Sequence, residues 1–338
     1  MRRLWALIGL IGLFAALLGS GAAASASDIE VQSRALQRAS DSVLGLKVTA
    51  VDGARSGATL GQRREGSGVL IGADGLVLTI GYLILEAEEV MLQTDDGRQW
   101  PARVVAYDVA TGFGLVQSLV PLKVEPAPVG NSAEVAAQEP LMMASGGDDG
   151  AVSITRLVSR RAFSGAWEYH LDEALFTAPA RRDHSGAGLF NGRGELVGVG
   201  SLWVADAMGA EGARVGGNMF VPVDLLKPVL AELRSRGSST QSQRAWMGLQ
   251  CSEAAGVLRV SRVNPDSPAD VAGLEAGDTV VRIDGLPVST LESLYKALWR
   301  GGPPERDVVL DLMRKGEALT LTVRSVDRMK TFKRAQGV

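Results

Sequence analysis

Cysteine is almost missing from this chain of 338 residues, which has one thiol, Cys251. A single thiol cannot close an internal disulfide, so burial and hydrogen bonding must hold the fold together. Cys251 lies in an alternating strand pattern, where a small buried residue is expected rather than a reactive thiol. Histidine is nearly as scarce, at His170 and His184. A zinc or haem site would have almost no ligands to draw on, so no metal and no cofactor are expected. The net charge is −3 and the basic residues are scattered, which removes the electrostatic footprint of a nucleic-acid-binding protein. The expected partner is a polypeptide.

The composition itself is 46% hydrophobic and 22% charged, with valine, leucine and glycine in short runs. It predicts a compact, strand-rich protein with room for two or three domains. At the start, Arg2 and Arg3 precede an apolar run over residues 4–18, followed by Ala22-Ala23-Ala24 and Ala24-Ser25-Ala26. That order reads as a secretory signal peptide over residues 1–26 and an exported, periplasmic-type location. If residues 19–24 extend the run, it nears bilayer length and becomes an uncleaved inner-membrane anchor instead. Only then is membrane contact expected. No cysteine stands in the region, which excludes a lipoprotein anchor.

Residues 28–41 are polar with a few apolar positions and predict a short helical or irregular lead before a strand over 42–51. Residues 52–65, with three glycines and three arginines, predict a mobile loop. From Gly66 the pattern tightens: Gly66-Ser67-Gly68-Val69-Leu70-Ile71, the turn Ala73-Asp74-Gly75, then Leu76-Val77-Leu78-Thr79. Two β-rich runs joined through Asp-Gly predict a hairpin. Val90-Met91-Leu92-Gln93, Asp95-Asp96-Gly97 and Ala102-Arg103-Val104-Val105 continue it, and the same texture resumes over 141–223. Short strands without a long intervening helix predict an all-β barrel or sandwich.

One turn stands out: Asp183-His184-Ser185-Gly186-Ala187-Gly188-Leu189, leading into Leu196-Val197-Gly198-Val199. A serine followed by small residues lets a substrate backbone approach the hydroxyl while backbone N–H groups aim at a developing oxyanion. On its own the turn also fits an ordinary glycine-rich hairpin. Together with Gly66-Ser67-Gly68-Val69, Asp74-Gly75, Leu78-Thr79, Asp96-Gly97-Arg98, Gly194-Glu195-Leu196-Val197-Gly198 and Phe220-Val221-Pro222, it resembles the HtrA (Do-like) serine proteases from about residue 40 to about 328. The resemblance implies a trypsin-like all-β double barrel over residues 27–236, with barrels at about 40–120 and 121–223, followed by an α+β PDZ domain.

The family's catalytic residues are not all carried over. Where the family has Thr-Asn-Asn-His-Val-Val, this chain has Thr79-Ile80-Gly81-Tyr82-Leu83-Ile84, so Tyr82 stands at the histidine position. The segment that closes on the family aspartate is Asp108-Val109-Ala110-Thr111-Gly112, so Gly112 stands there without a side chain. Ser185 is retained, and Asp183 stands at the oxyanion-hole glycine. A serine hydroxyl needs a base held in the right tautomer. A phenol with a pKa near ~10 is a weak acceptor, and a carboxylate at the oxyanion hole is expected to repel the charge developing there. His184 adjoins Ser185 in a turn and is expected to point elsewhere, and no carboxylate is identified to orient His170.

The third region starts after a predicted helix carrying Leu225, Val229, Leu230 and Leu233 on one face, with Asp224 as its N-cap and Gly237 as its stop. The polar run over 237–244 predicts a linker. Trp246-Met247-Gly248-Leu249 then resembles the carboxylate-binding loop of PDZ domains, with Val263-Asn264-Pro265, Ala276-Gly277-Asp278 and Ile283-Asp284-Gly285 following over residues 245–328. Such a turn exposes backbone N–H groups to a peptide C-terminus, and the next strand can pair with the peptide. A helix over 289–299, with Leu291, Leu294, Tyr295 and Leu298 on one face, predicts the other groove wall. Residues 329–338 form a basic tail, whose terminal Val338 also has the character of a PDZ ligand.

These residues predict an exported pseudoprotease that binds apolar polypeptide C-termini as a regulator or scaffold in envelope protein quality control. An active serine endopeptidase using Ser185 with a non-standard base is the alternative, and a holdase-type chaperone the third. The resemblance also implies a homo-oligomer, the family's trimer, or an active protease as partner, although residues 28–45 lack an aromatic clasp.

Overall fold

Short apolar strands punctuated by Asp-Gly and Gly-rich turns bury their inward faces by curling each sheet upon itself. The computed structural model describes residues 26–333. The signal segment and the last five residues, with Val338, lie outside the described residues. Helix α1 (Ala26–Asp41) leads into β1 (Val43–Ala50), β2 (Arg63–Leu70), β3 (Leu76–Ile80), β4 (Ala87–Gln93), β5 (Gln99–Tyr107) and β6 (Phe113–Ser118), closed in the order β1-β2-β3-β6-β5-β4. A second barrel follows, from β7 (Pro140–Ala144), β8 (Val152–Gly165), β9 (Tyr169–Ala178), β10 (Gly188–Phe190), β11 (Leu196–Val204) and β12 (Gly217–Pro222), closed as β10-β11-β12-β9-β8-β7. Leu141, Met143, Leu175, Leu189, Val197 and Phe220 fill its core. The all-β double barrel expected from the sequence is the observed fold.

Residues 52–65 are more ordered than expected. They contain a helical turn, α2 (Gly57–Leu60), and the start of β2. The reason is a buried polar knot that glycine counting does not reveal. The Glu86 carboxylate accepts from the Ser56 N–H (2.8 Å) and hydroxyl (2.6 Å), while the Arg64 guanidinium donates to Ser56 Oγ and to the carbonyls of Tyr82 and Leu85. Asp224 also differs. It lies in a 3-10 turn (Val223–Leu225) and accepts from the N–H groups of Ser132 (2.6 Å) and Ala133 (3.1 Å), capping a distant turn instead of its own helix. The helix itself, α3 (Leu230–Arg236), starts without a side-chain cap and stops at Gly237 in the left-handed conformation.

The chain divides into two compact units. Among the described residues, one holds 26–161, 174–239 and Lys333; the other holds Ala162–Glu173 and Thr240–Phe332. The second unit contains the paired β13 (Ala245–Trp246) and β20 (Val326–Asp327). Its main sheet is β14 (Leu249–Ala254), β15 (Val257–Val263), β16 (Thr279–Ile283), β18 (Asp307–Arg314) and β19 (Glu317–Arg324), with the short β17 (Leu286–Pro287) on β16. Beside α4 (Pro268–Val271), the helix α5 (Leu291–Arg300) begins at a capping box of Thr290 and Ser293 and buries Leu294, Tyr295 and Leu298. Cys251 is 2% exposed, and burial pushes its thiol up to about 12, as befits a core residue.

Candidate functional site

The turn before β10 is fixed by backbone bonds on both sides. Ser185 accepts through its carbonyl from the Ser67 N–H (2.9 Å), and Gly186 N–H donates to Gly200 (2.9 Å). Gly186 has φ 74, and a β-carbon there would lie 1.9 Å from the Ser67 carbonyl oxygen, so only glycine fits. Ser185 thereby opens onto a cleft of about 180 Å³ lined by Gly45, Ser67, Gly146, Asp148 and Asp183 among others.

Tyr82, in a 3-10 turn (Gly81–Leu83), meets Ser185 from 103 residues away, its hydroxyl oxygen 2.8 Å from Ser185 Oγ. The same oxygen is 2.8 Å from the carbonyl of Ser201, at a bulge in β11. A carbonyl can only accept, so the single phenol proton goes to Ser201 and the serine's own proton completes the contact to Tyr82. The serine proton therefore faces a neutral phenol oxygen. Burial, only partly offset by the Ser185 hydrogen bond, pushes the Tyr82 hydroxyl up to about 12. At pH 7 about one molecule in 10⁵ would carry the phenolate that could act as a base. Gly112 has φ 80, and its carbonyl accepts from the Gly81 N–H (2.7 Å), one residue from Tyr82. Asp108, four residues earlier, spends one carboxylate oxygen on the Thr111 N–H (3.0 Å) and hydroxyl (2.6 Å). The turn offers no carboxylate from Gly112.

Asp183 is handled differently from the sequence expectation of a bare repelling charge. The Arg181 guanidinium pairs with both its oxygens, with Nε 2.9 Å from Oδ1, and Ser145 also donates to it. Burial alone would raise this carboxyl, but the bonds from Arg181 and Ser145 and the charge of Arg181 outweigh it and hold it below the usual carboxylate range. Asp183 is thus a fixed, neutralised anion. His184 donates through Nδ1 to the Arg181 carbonyl (3.1 Å), and burial lowers its pKa.

His170 does have a carboxylate, contrary to the sequence reading. Asp172 Oδ1 lies 3.3 Å from Nε2, because residues two apart on β9 share a face, and Nδ1 meets Ser164 Oγ at 2.9 Å. His170, Asp172 and Glu292 could together ligate a metal, but the Lys296 ammonium already sits 2.7 Å from both Asp172 and Glu292. The cluster has its cation.

In the second unit, Trp246 ends β13 and Leu249 begins β14, with Met247 and Gly248 as the turn between them. The N–H groups of Met247 and Gly248 converge on the Glu168 carboxylate at 2.8 and 2.9 Å, and the Leu249 N–H also favours its charged form. Glu168 is the last residue of a three-residue hairpin loop, with left-handed φ 58 where glycine or asparagine is favoured. The same loop accepts through the Ala166 carbonyl from the Cys251 N–H (3.3 Å) on β14. Tyr295, expected as an open groove wall beside Leu291, is buried, donates to the Gly165 carbonyl (2.8 Å) and accepts from the Glu168 N–H (3.2 Å). Leu291 remains half-buried against the core. Glu168, Arg181 and Ser201 escaped sequence reading. The one signal was a hairpin turn, Ala166-Trp167-Glu168, that lacks the glycine its geometry favours.

Residues 66–199 match the trypsin-like peptidase domain family and residues 245–324 the PDZ domain family. The periplasmic serine endoprotease DegP of Salmonella typhimurium is 27% identical over 288 residues, spanning 80% of this chain and 59% of that one. The probable serine protease do-like of Buchnera aphidicola is 28% identical over 280 residues, 77% of this chain and 56% of that one. The chain therefore spans less than three fifths of the length of these curated relatives. Among solved structures, the HtrA-type protease AlgW with a decapeptide superposes with a TM-score of 0.55 at 19% identity, covering 88% of this chain and 98% of that one. The serine endoprotease from Yersinia pestis gives 0.53 at 20%, with 88% and 97% covered. A trypsin-like double barrel followed by a PDZ domain, with Do-like serine proteases as relatives in sequence, is the arrangement this chain shares with the HtrA family.

Proposed function

We propose that the chain is a catalytically retired HtrA-type protein that binds polypeptide C-termini through its PDZ domain, in the envelope compartment where its DegP relatives are named periplasmic. The observation that carries the first half is the pairing of Ser185 with a Tyr82 phenol held at about 12, with Gly112 in place of an orienting acid. Losing a triad member costs about 10⁴–10⁶ in turnover, and here two are replaced. The second half rests on the backbone N–H groups of Met247, Gly248 and Leu249, which already hold a carboxylate. Among the described residues no helix is long and apolar enough to cross a membrane, so an inner-membrane attachment would require the segment before residue 26. Oligomerisation, as a trimer or with an active protease, follows the family and is part of the same proposal.

The competing reading is an endopeptidase that uses Ser185, favoured by the retained serine turn and by relatives named serine endoproteases. Incubating the full chain with unfolded casein and, separately, with a labelled decapeptide ending in Leu-Val separates the two. Peptide binding that disappears with the C-terminal amide, without casein cleavage, is the expected result. Casein cleavage abolished by Ser185→Ala would overturn the proposal in favour of the endopeptidase.

A further inference from the structure

The groove that the PDZ reading assigns to C-termini is not vacant. Three kinds of contact that a peptide end would make are already made by residues of the β8–β9 hairpin tip, which belongs to the same compact unit. A carboxylate sits on the N–H groups of Met247 and Gly248. A backbone carbonyl, that of Ala166, accepts from the Cys251 N–H on the strand with which an added peptide would pair. The inner face of α5 is engaged through Tyr295, whose hydroxyl bridges Gly165 and the Glu168 N–H. Arg328 closes the arrangement by donating to the Glu168 carbonyl (2.8 Å).

We infer that Glu168 is an internal ligand of the PDZ carboxylate-binding loop, and that an incoming C-terminus binds only by displacing it. Two features distinguish this from ordinary hairpin packing. Glu168 adopts the left-handed conformation that a glycine would take without steric cost, so the position keeps a side chain against the preference of its backbone. The side chain kept there is an acid, and its two oxygens take up two successive N–H groups of the turn. Nothing in hairpin geometry calls for a carboxylate at that residue. The occupant's neighbour, Trp167, stacks on Tyr169 with ring centroids 6.1 Å apart and remains 41% exposed, so the tip is anchored chiefly through the Glu168 side chain and backbone.

The inference rests on the proposed PDZ reading, and its test separates the two. Glu168→Gly removes the carboxylate and suits φ 58, so the hairpin is expected to form in the variant. In the full chain, hydrogen exchange at the Met247, Gly248 and Leu249 amides should be slow in the wild type and at least about tenfold faster in Glu168→Gly. If the tip leaves the groove open about one tenth of the time, the fluorescein-labelled Leu-Val decapeptide should bind about tenfold more tightly to the variant. Its C-terminal amide should bind to neither. Unchanged exchange and unchanged peptide affinity would overturn the inference. If the decapeptide binds neither protein, the C-terminus reading fails by itself. Exchange then decides the occupancy: faster in the variant supports it, equal rates refute it.

Discussion

Two loops in this chain stand beside a carboxylate supplied by the chain itself, one held by a guanidinium and the other by backbone N–H groups. At the serine turn the carboxylate is Asp183, and an arginine two residues away pairs with both of its oxygens. At the Met247-Gly248-Leu249 loop the carboxylate is Glu168, 3% exposed, held by N–H groups and, among the described residues, without a side-chain cation on its oxygens. The two acids shift in opposite directions: Asp183 is held below the usual range, whereas burial pushes Glu168 up to about 7 despite the N–H groups and Arg328. A paired charge has its desolvation offset by its partner, while an acid buried without a cation on its oxygens bears that cost with hydrogen bonds alone. The acid at the serine turn is a fixed ion pair, and the acid at the PDZ loop is held by backbone N–H groups alone.

Titration sharpens that contrast most strongly. Glu168 has a folded pKa raised from 4.5 to about 7, so its docking is most favourable below about 4.5 and weakens as pH rises through about 7. The loss over that window is of order 3 kcal/mol, at about 1.4 kcal/mol per pKa unit. The buried thiol and phenol facing it titrate outside that window: burial holds Cys251 at about 12 and also raises Tyr295. Asp183 has the opposite sign, because its depressed pKa gives stability present above about pH 4 that is lost as pH falls through its folded value. Hydrogen exchange at Met247 and Gly248 should therefore quicken from pH 5 to pH 8, after correction for the intrinsic rate, and Glu168→Gln should flatten the response.

A smaller effect comes from breaking the permanent pair. Arg181→Ala leaves the partly buried Asp183 carboxylate without its cation and should cost about 2 kcal/mol in urea unfolding, less than the 3–5 typical of a fully buried pair. Adding Asp183→Asn should recover most of that loss, which would mark the carboxylate, and not the arginine stem, as the source of the cost.

What was legible in the sequence was local. The barrel strands announced themselves through Asp-Gly turns and apolar runs, and the Trp246-Met247-Gly248-Leu249 loop through four consecutive residues. Non-local chemistry was not legible. Arg64 and Glu86 join elements 22 residues apart into a knot that orders residues 52–65, and no local pattern encodes it. Asp224 had the residue type and position of a helix cap, yet its oxygen was taken by Ser132 and Ala133, more than 90 residues away. His170 and Asp172 were a local pair that period-two reasoning along β9 could have found. Tyr82 and Ser185 are adjacent in space only because two barrels bring them there; motif comparison suggested the substitution, but the second bond of Tyr82 to the Ser201 carbonyl came from the fold.

The central claim is that Ser185 lacks a working base, and a fluorophosphonate probe tests it most directly. The wild-type chain and Ser185→Ala should label equally weakly at pH 7, since the phenol of Tyr82 is neutral and its proton is committed to Ser201. Stoichiometric labelling of the wild type that vanishes in Ser185→Ala would contradict the account and show that another group activates the serine.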